Sequence, residues 1–230
     1  MLILLACLAA SADIIGGLIP FQPRFKNMST RYALAFASGT VISAAFFELL
    51  PAADIQQNWA VPGIGFFAMY LIDKGLALHK CAESECEITG VTWVTILGMT
   101  SDNILDGAGI AVAYIMEPTL GIAVTLAVIA HELPQGMTTT LIMKAQGYRM
   151  SSIVAMLSLA GIMYPLGAVI GTFIPPAIHH AALAFVAGVF IYTGAAALMT
   201  EAHRHFNKSV IFFLLLGAVA TLCLKLIEPH

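Results

Sequence analysis

Charge is what this chain has least of. Asp, Glu, Lys and Arg make up 10% of its 230 residues, while 60% are hydrophobic; soluble domains carry roughly 25% and 45–50%. A soluble core cannot use that much apolar surface, which leaves an integral membrane protein. Basic residues are too few, at a net charge of −3, to imply a nucleic-acid partner. Cysteine is sparse too: Cys7 and Cys223 fall in apolar runs and Cys81 and Cys86 share one short loop, so there is no disulfide framework. No Lys or Arg precedes the first apolar run, so the basic segment of a secretory signal is missing and that run is expected to be a membrane span. Long linkers and a nucleotide-binding segment are likewise missing, so any transport is expected to follow a gradient or the membrane potential.

What is present is a series of apolar runs long enough to cross a bilayer, near residues 2–20, 32–52, 61–78, 91–116, 119–143, 151–175, 178–199 and 208–228. The expected fold is all-α, a polytopic bundle of eight transmembrane helices forming one domain over 1–230. Arg24, Lys26 and Arg31 lie between spans 1 and 2, Lys80 between 3 and 4, Lys144 and Arg149 after 5, and Arg204 and Lys208 between 7 and 8. The alternate loops, near 53–60, 117–118 and 176–177, contain no Lys or Arg. By the positive-inside rule the basic loops are cytoplasmic and both termini are outside.

The chain also repeats itself. A shift of 149 residues lays Ala33-Leu34-Ala35-Phe36 on Ala182-Leu183-Ala184-Phe185, then Gly39 on Gly188, Ile42 on Ile191, Leu49 on Leu198 and Ala53 on Ala202. An odd number of crossings separates these segments, so 1–78 and 151–230 are candidate inverted repeats around a central pair of helices, 91–146. That is a recurring transporter architecture with its site at the midplane.

The central pair carries two similar motifs, Asp102-Asn103-Ile104-Leu105-Asp106-Gly107 and His131-Glu132-Leu133-Pro134-Gln135-Gly136. Each carboxylate in lipid costs ~2.5–3.5 kcal/mol on insertion scales, and neither motif holds a Lys or Arg to neutralise it. Asp102 lies about 11 residues, or ~16 Å, into span 4, and His131 is about as deep in span 5, so the motifs meet near the bilayer centre. Residues i and i+4 share a helix face, which stacks Asp102 with Asp106 and His131 with Gln135; Asn103 and Glu132 sit one residue round. Gly107, Gly109 and Gly136 let helices approach closely, and Pro134 frees the Ala130 carbonyl. One nitrogen with several oxygens suits Zn²⁺, Mn²⁺ or Fe²⁺ and is poor for soft Cu⁺. Protons and metal are expected to compete for such a site. A plainer reading makes the six polar residues interhelical hydrogen-bonding glue, for which one or two would do.

At these residues the chain resembles the ZIP (Zrt-, Irt-like) divalent metal transporters. Span 5 matches their motif at His131, Glu132, Pro134 and Gly136, and span 4 at Asn103, Asp106 and Gly107. Gly39 to Pro51, ending Glu48-Leu49-Leu50-Pro51, is similar to the family's second span, and Gly188 to Glu201 to its seventh. The resemblance implies metal transport into the cytoplasm by alternating access, a bundle of spans 1, 4, 5 and 6 moving against 2, 3, 7 and 8. Asp102 stands where the family usually has His, Leu105 where many members have Pro, Gln135 where a second bridging ligand is common, and Glu48 where His is common; span 6 offers no carboxylate. What carries over is one metal held by Asp102, Asp106 and His131, with Asn103, Glu132 and Gln135 supporting. Zn²⁺ is the first choice, with the extra oxygen leaning toward Mn²⁺ or Fe²⁺. The metal is cargo, no cofactor is expected, and the other partner is the lipid bilayer of a bacterial or archaeal cell membrane; a homodimer is left open.

Outside the motifs, Asp13 is the one charge in span 1, suited either to the pathway or to a structural pair. Glu48 is an interfacial acid or an entrance residue. His179 and His180 sit at the outer mouth of span 7. The loop His79-Lys80-Cys81-Ala82-Glu83-Ser84-Glu85-Cys86-Glu87 is either a solvated acidic loop or a short exit-side chelator, and Glu201, His203 and His205 could receive metal on the same side. Two other functions compete. His131-Glu132 begins the His-Glu-x-x-His motif of metalloproteases, but Gln135 stands where the second histidine is needed. An ion-coupled carrier of organic solutes explains buried acids but not the His-Glu-x-Pro pattern.

Overall fold

The computed structural model describes residues 1–25, 30–78, 93–203 and 207–227. Among these are eight helices and no strand: α1 Leu2–Leu18, α2 Arg31–Ala52, α3 Val61–Leu78, α4 Trp93–Met116, α5 Pro118–Ala145, α6 Met150–Thr172, α7 Pro176–Ala202 and α8 Lys208–Ile227. They coincide with the eight apolar runs to within a few residues. Five described segments are long and apolar enough to cross a membrane, namely Leu2–Phe21, Arg31–Ala52, Pro118–Ala145, Met150–Thr172 and Pro176–Ala202, and Lys208–Cys223 is a shorter apolar helix. The protein is thus an all-helical membrane bundle. Lys26, Arg204 and His205, and the loop from His79 to Glu87, lie outside the described residues.

Local chemistry sets the links. Between α4 and α5 only Glu117 intervenes, in extended conformation, and Pro118 opens α5 where a helix has no use for the missing N–H. Gly121 permits so tight a turn, because a Cβ there would lie 2.5 Å from Tyr114 Cα. At the far end of α5, Gly147 takes φ +80°, a conformation that costs glycine nothing. Its N–H reaches the Lys144 carbonyl at 3.0 Å and that of Tyr148 the Met143 carbonyl at 3.1 Å, which satisfies the orphaned end of the helix. Lys144 Nζ donates to the Pro20 carbonyl at 2.7 Å, tying α5 to the end of α1.

Helices α1, α4, α5 and α6 pack on one another, α2 packs on α8 and α3 on α7, and the contacts α2–α5 and α4–α7 join the groups. Glycine sets the closest approaches, as expected where helices associate by packing alone. A Cβ on Gly39 would lie 1.9 Å from the Leu214 carbonyl oxygen, and one on Gly188 1.9 Å from that of Pro62. Gly217 meets the Phe36 carbonyl and Gly65 that of Phe185, each at 2.1 Å. In the other group Gly107 meets the Tyr164 carbonyl at 2.1 Å and Gly136 that of Asp13 at 2.2 Å, while Gly16 meets Leu133 and Gly167 meets Ile104, both at 2.1 Å. Each contact thus has a counterpart elsewhere in the bundle, helix for helix.

Two helices are locally unwound. Ala45–Leu49 in α2 and Tyr192–Leu198 in α7 are π-helical, and the 149-residue shift lays the first inside the second. A π turn is wider than an α turn and loosens its carbonyls. One such carbonyl, of Gly194, accepts a buried hydrogen bond from Ser38 Oγ at 2.9 Å, joining α2 to α7.

Candidate metal centre

The hairpin of α4 and α5 brings the two motifs face to face. His131 Nε2 lies 3.2 Å from Asp106 Oδ2 and 3.0 Å from Glu132 Oε1, all three side chains being fully buried. One ligand atom from each of Asp106, His131 and Glu132 falls within 4.8 Å of the others. The other ring nitrogen, Nδ1, is 3.0 Å from the Ala127 carbonyl one turn back. A carbonyl only accepts, so Nδ1 carries a proton, and Nε2 faces two carboxylate oxygens. Three such atoms converging repel one another unless a cation or a proton sits among them. Fixing a histidine through its other nitrogen is how metal ligands are commonly oriented. Phe190 of α7 closes the ring's flank, edge-on at 6.0 Å between centroids.

The remaining motif residues surround this triad. Asp102, buried one turn before Asp106, receives a hydrogen bond from Gln135, and its Oδ1 has no hydrogen-bond partner among the described residues. Asn103 turns instead to α6, where Nδ2 donates to the Ala160 carbonyl at 3.0 Å. The expected order of ligands therefore shifts: Glu132 stands with Asp106 and His131, and Asp102 stands a turn away with Gln135. Glutamate's extra methylene lets residue 132 reach back over the 100° that separates it from residue 131.

Two groups from other helices complete the surroundings. Asp13 of α1 is buried, neither carboxylate oxygen has a hydrogen-bond partner among the described residues, and Oδ1 lies 2.7 Å from where a Gly136 Cβ would be. Tyr164 of α6, fully buried, brings its hydroxyl near Glu132. Its one signal in the sequence is a polar tip in an otherwise apolar run.

The outlying candidates are held by protein groups. His179 Nε2 donates to the Ile174 carbonyl at 2.9 Å and His180 Nδ1 to that of Ala52 at 3.0 Å. His203 Nδ1 is bound to the Met199 carbonyl at 2.8 Å. Glu48 accepts from Lys225, and Asp73 accepts a short hydrogen bond from Tyr192.

Comparison with known proteins agrees with this chemistry. The model of the family described as "ZIP Zinc transporter" matches residues 73–225. The chain is 28% identical over 189 residues to zinc transporter ZIP13 of Pongo abelii, covering 73% of this chain and 57% of that protein. It is 28% identical over 117 residues to zinc transporter ZIP10 of Danio rerio, which is 50% of this chain and 14% of that protein. The uncharacterized protein MJ1036 of Methanocaldococcus jannaschii is 25% identical over 233 residues, covering 94% of this chain and 93% of its own length. The chain therefore spans little more than half of the first relative and a small part of the second.

Proposed function

This chain belongs to the ZIP zinc transporter family, and on that footing we propose that it carries a divalent metal cation, Zn²⁺ first and Mn²⁺ or Fe²⁺ next, across the cell membrane into the cytoplasm. The observation that carries the reading is the convergence of His131 Nε2 with the Asp106 and Glu132 carboxylates while Nδ1 is fixed on the Ala127 carbonyl. A mixed nitrogen and oxygen set of this kind suits borderline divalent ions and disfavours Cu⁺. The peptidase alternative lacks its second histidine, since Gln135 occupies that position and bonds Asp102. Purified protein in liposomes, assayed for metal uptake and for peptide cleavage, separates the two: uptake without cleavage is expected, and cleavage without uptake would reverse the reading.

Eight crossings with both termini outside, and two inverted repeats around α4 and α5, complete the proposal. The repeat is supported by the counterpart glycine contacts, Gly39 with Gly188, Gly217 with Gly65 and Gly107 with Gly136, and by the two π segments. The basic loops support an orientation with both termini outside, and inward transport is what the family resemblance implies. Such a pair of repeats exchanges outward for inward access around a fixed site, α1, α4, α5 and α6 moving as one group. Ala130→Cys, placed beside the motif, is expected to be labelled by a membrane-impermeant thiol reagent from either side, with metal altering the balance. Labelling from a single side under all metal conditions would leave a gated channel in place of alternating access.

Selectivity supplies a second test. Asp102 is an oxygen donor one turn from the triad, so Asp102→His adds a nitrogen there and should favour Zn²⁺ or Cd²⁺ over Mn²⁺. The measurement is competition between these ions for uptake. An unchanged competition profile would mean that Asp102 never touches the cargo.

A further inference from the structure

One ion pair sits apart from the centre, on a segment that packs against the helix bearing His131. Glu48 belongs to the π segment of α2, and that segment packs against α5, which bears His131, and against α7. Its side chain is only 6% exposed, and Oε2 receives Lys225 Nζ at 2.8 Å. Lys225 lies in the last turn of α8 and is 37% exposed. With both termini outside, these are the outer ends of α2 and α8. A lysine is out of place there: the loops at 53–60, 117–118 and 176–177 contain no Lys or Arg, and Lys225 is the one basic residue that the sequence puts on the outer side. The positive-inside rule gives no reason for it, whereas the buried carboxylate it neutralises does.

We propose that Lys225 is a tethered cation that occupies Glu48 until an incoming divalent metal displaces it, so that the pair is an exchange gate at the outer entrance and sets the metal concentration at which uptake half-saturates. A doubly charged ion is held more strongly than an ammonium by the same carboxylate. The displaced lysine has somewhere to go, because its long stem lets the ammonium swing out to the headgroup region without leaving the apolar surface. Glu48 can accept metal only in the fraction of molecules whose lysine is off, and that fraction divides the intrinsic affinity. The inference rests on the transport reading above, since it assumes that cargo arrives from outside, but it concerns residues remote from the mid-membrane triad.

The test uses the full chain in liposomes and in detergent, with Zn²⁺ as the probe. In Lys225→Met the KM for Zn²⁺ uptake should fall; if the lysine holds Glu48 nine-tenths of the time, the fall is about tenfold. Lys225→Arg keeps the cation and should keep KM at or above the wild-type value, because a guanidinium binds carboxylate at least as firmly. Glu48→Gln should raise KM, and adding it to Lys225→Met should abolish the gain. Equilibrium dialysis in detergent gives an answer that does not depend on transport: at millimolar zinc, where a single carboxylate begins to hold the ion, Lys225→Met should bind more Zn²⁺ than wild type, and the double variant should lose the excess. Equal KM and equal zinc binding in wild type and Lys225→Met would overturn the proposal, and a lowered melting temperature beside them would make the pair a structural clamp. Absence of uptake by the wild-type protein would instead strike the transport reading, leaving the dialysis result to decide this one. If Lys225→Met does not fold, Lys225→Gln serves in its place.

Discussion

His131→Ala and Asp106→Ala each abolish metal uptake while leaving the protein folded in detergent. Each substitution removes one of three converging ligand atoms and leaves two, fewer than a divalent ion needs to be held firmly. The loss in affinity should exceed the roughly 10–100-fold that follows from removing a mere supporting partner of a ligand. Folding should survive, because the hairpin is seated on its neighbours by the contacts of Gly107 with Tyr164 and of Gly136 with Asp13, which neither substitution touches. Uptake into liposomes reads the first half of the expectation, and the melting temperature with and without zinc reads the second. The wild-type protein should be stabilised by zinc and both variants should not. Wild-type uptake by the two variants would remove the proposed site altogether.

Gly107→Ala and Gly136→Ala should be nearly as damaging, for a reason unrelated to charge. An added methyl would lie 2.1 Å from the Tyr164 carbonyl oxygen in the first case and 2.2 Å from that of Asp13 in the second. Both obstacles are backbone, so a whole helix has to retreat, at about 1–3 kcal/mol or more for overpacking. The retreating helices are α6 and α1, which bear Tyr164 and Asp13 beside the centre, while α4 and α5 are pushed the other way. Melting temperatures should therefore drop and uptake should fall with them. Gly63→Ala is the control: no heavy atom lies within 4 Å of its would-be Cβ, and it should behave as wild type. Equal behaviour of all three would mean that the close packing around the motifs is not needed for transport.

The helices were legible in the sequence because membrane insertion leaves little choice: an apolar run of sufficient length has to satisfy its own backbone. The centre was legible for a similar reason, since acids and a histidine in such runs need a purpose. Finer placement was not. Helical periodicity stacked Asp102 over Asp106, but it could not say that Glu132 would reach back to His131 or that Asn103 would turn to Ala160. Those choices depend on side-chain length and on a third helix. The π segments left no trace in composition, because Ala-Phe-Phe-Glu-Leu and Tyr-Thr-Gly-Ala-Ala-Ala-Leu serve an α-helix equally well. Glu48 reads in the sequence as an interfacial acid or an entrance residue, and nothing there points to its partner on α8.

The single-residue link at Glu117 bears on how such a protein is made. His131 and Asp106 are 25 residues apart in the chain, whereas Ser38 finds Gly194 across 156 residues and Lys225 finds Glu48 across 177. The ligand-bearing hairpin can close as soon as it leaves the ribosome and enters the bilayer. Helix α2, inserted well before it, waits for α8 before its glycine face and its buried acid are covered. During biogenesis the chelating elements are thus together early, and the scaffold around them is the late step, the one most exposed to premature termination and to quality-control proteases.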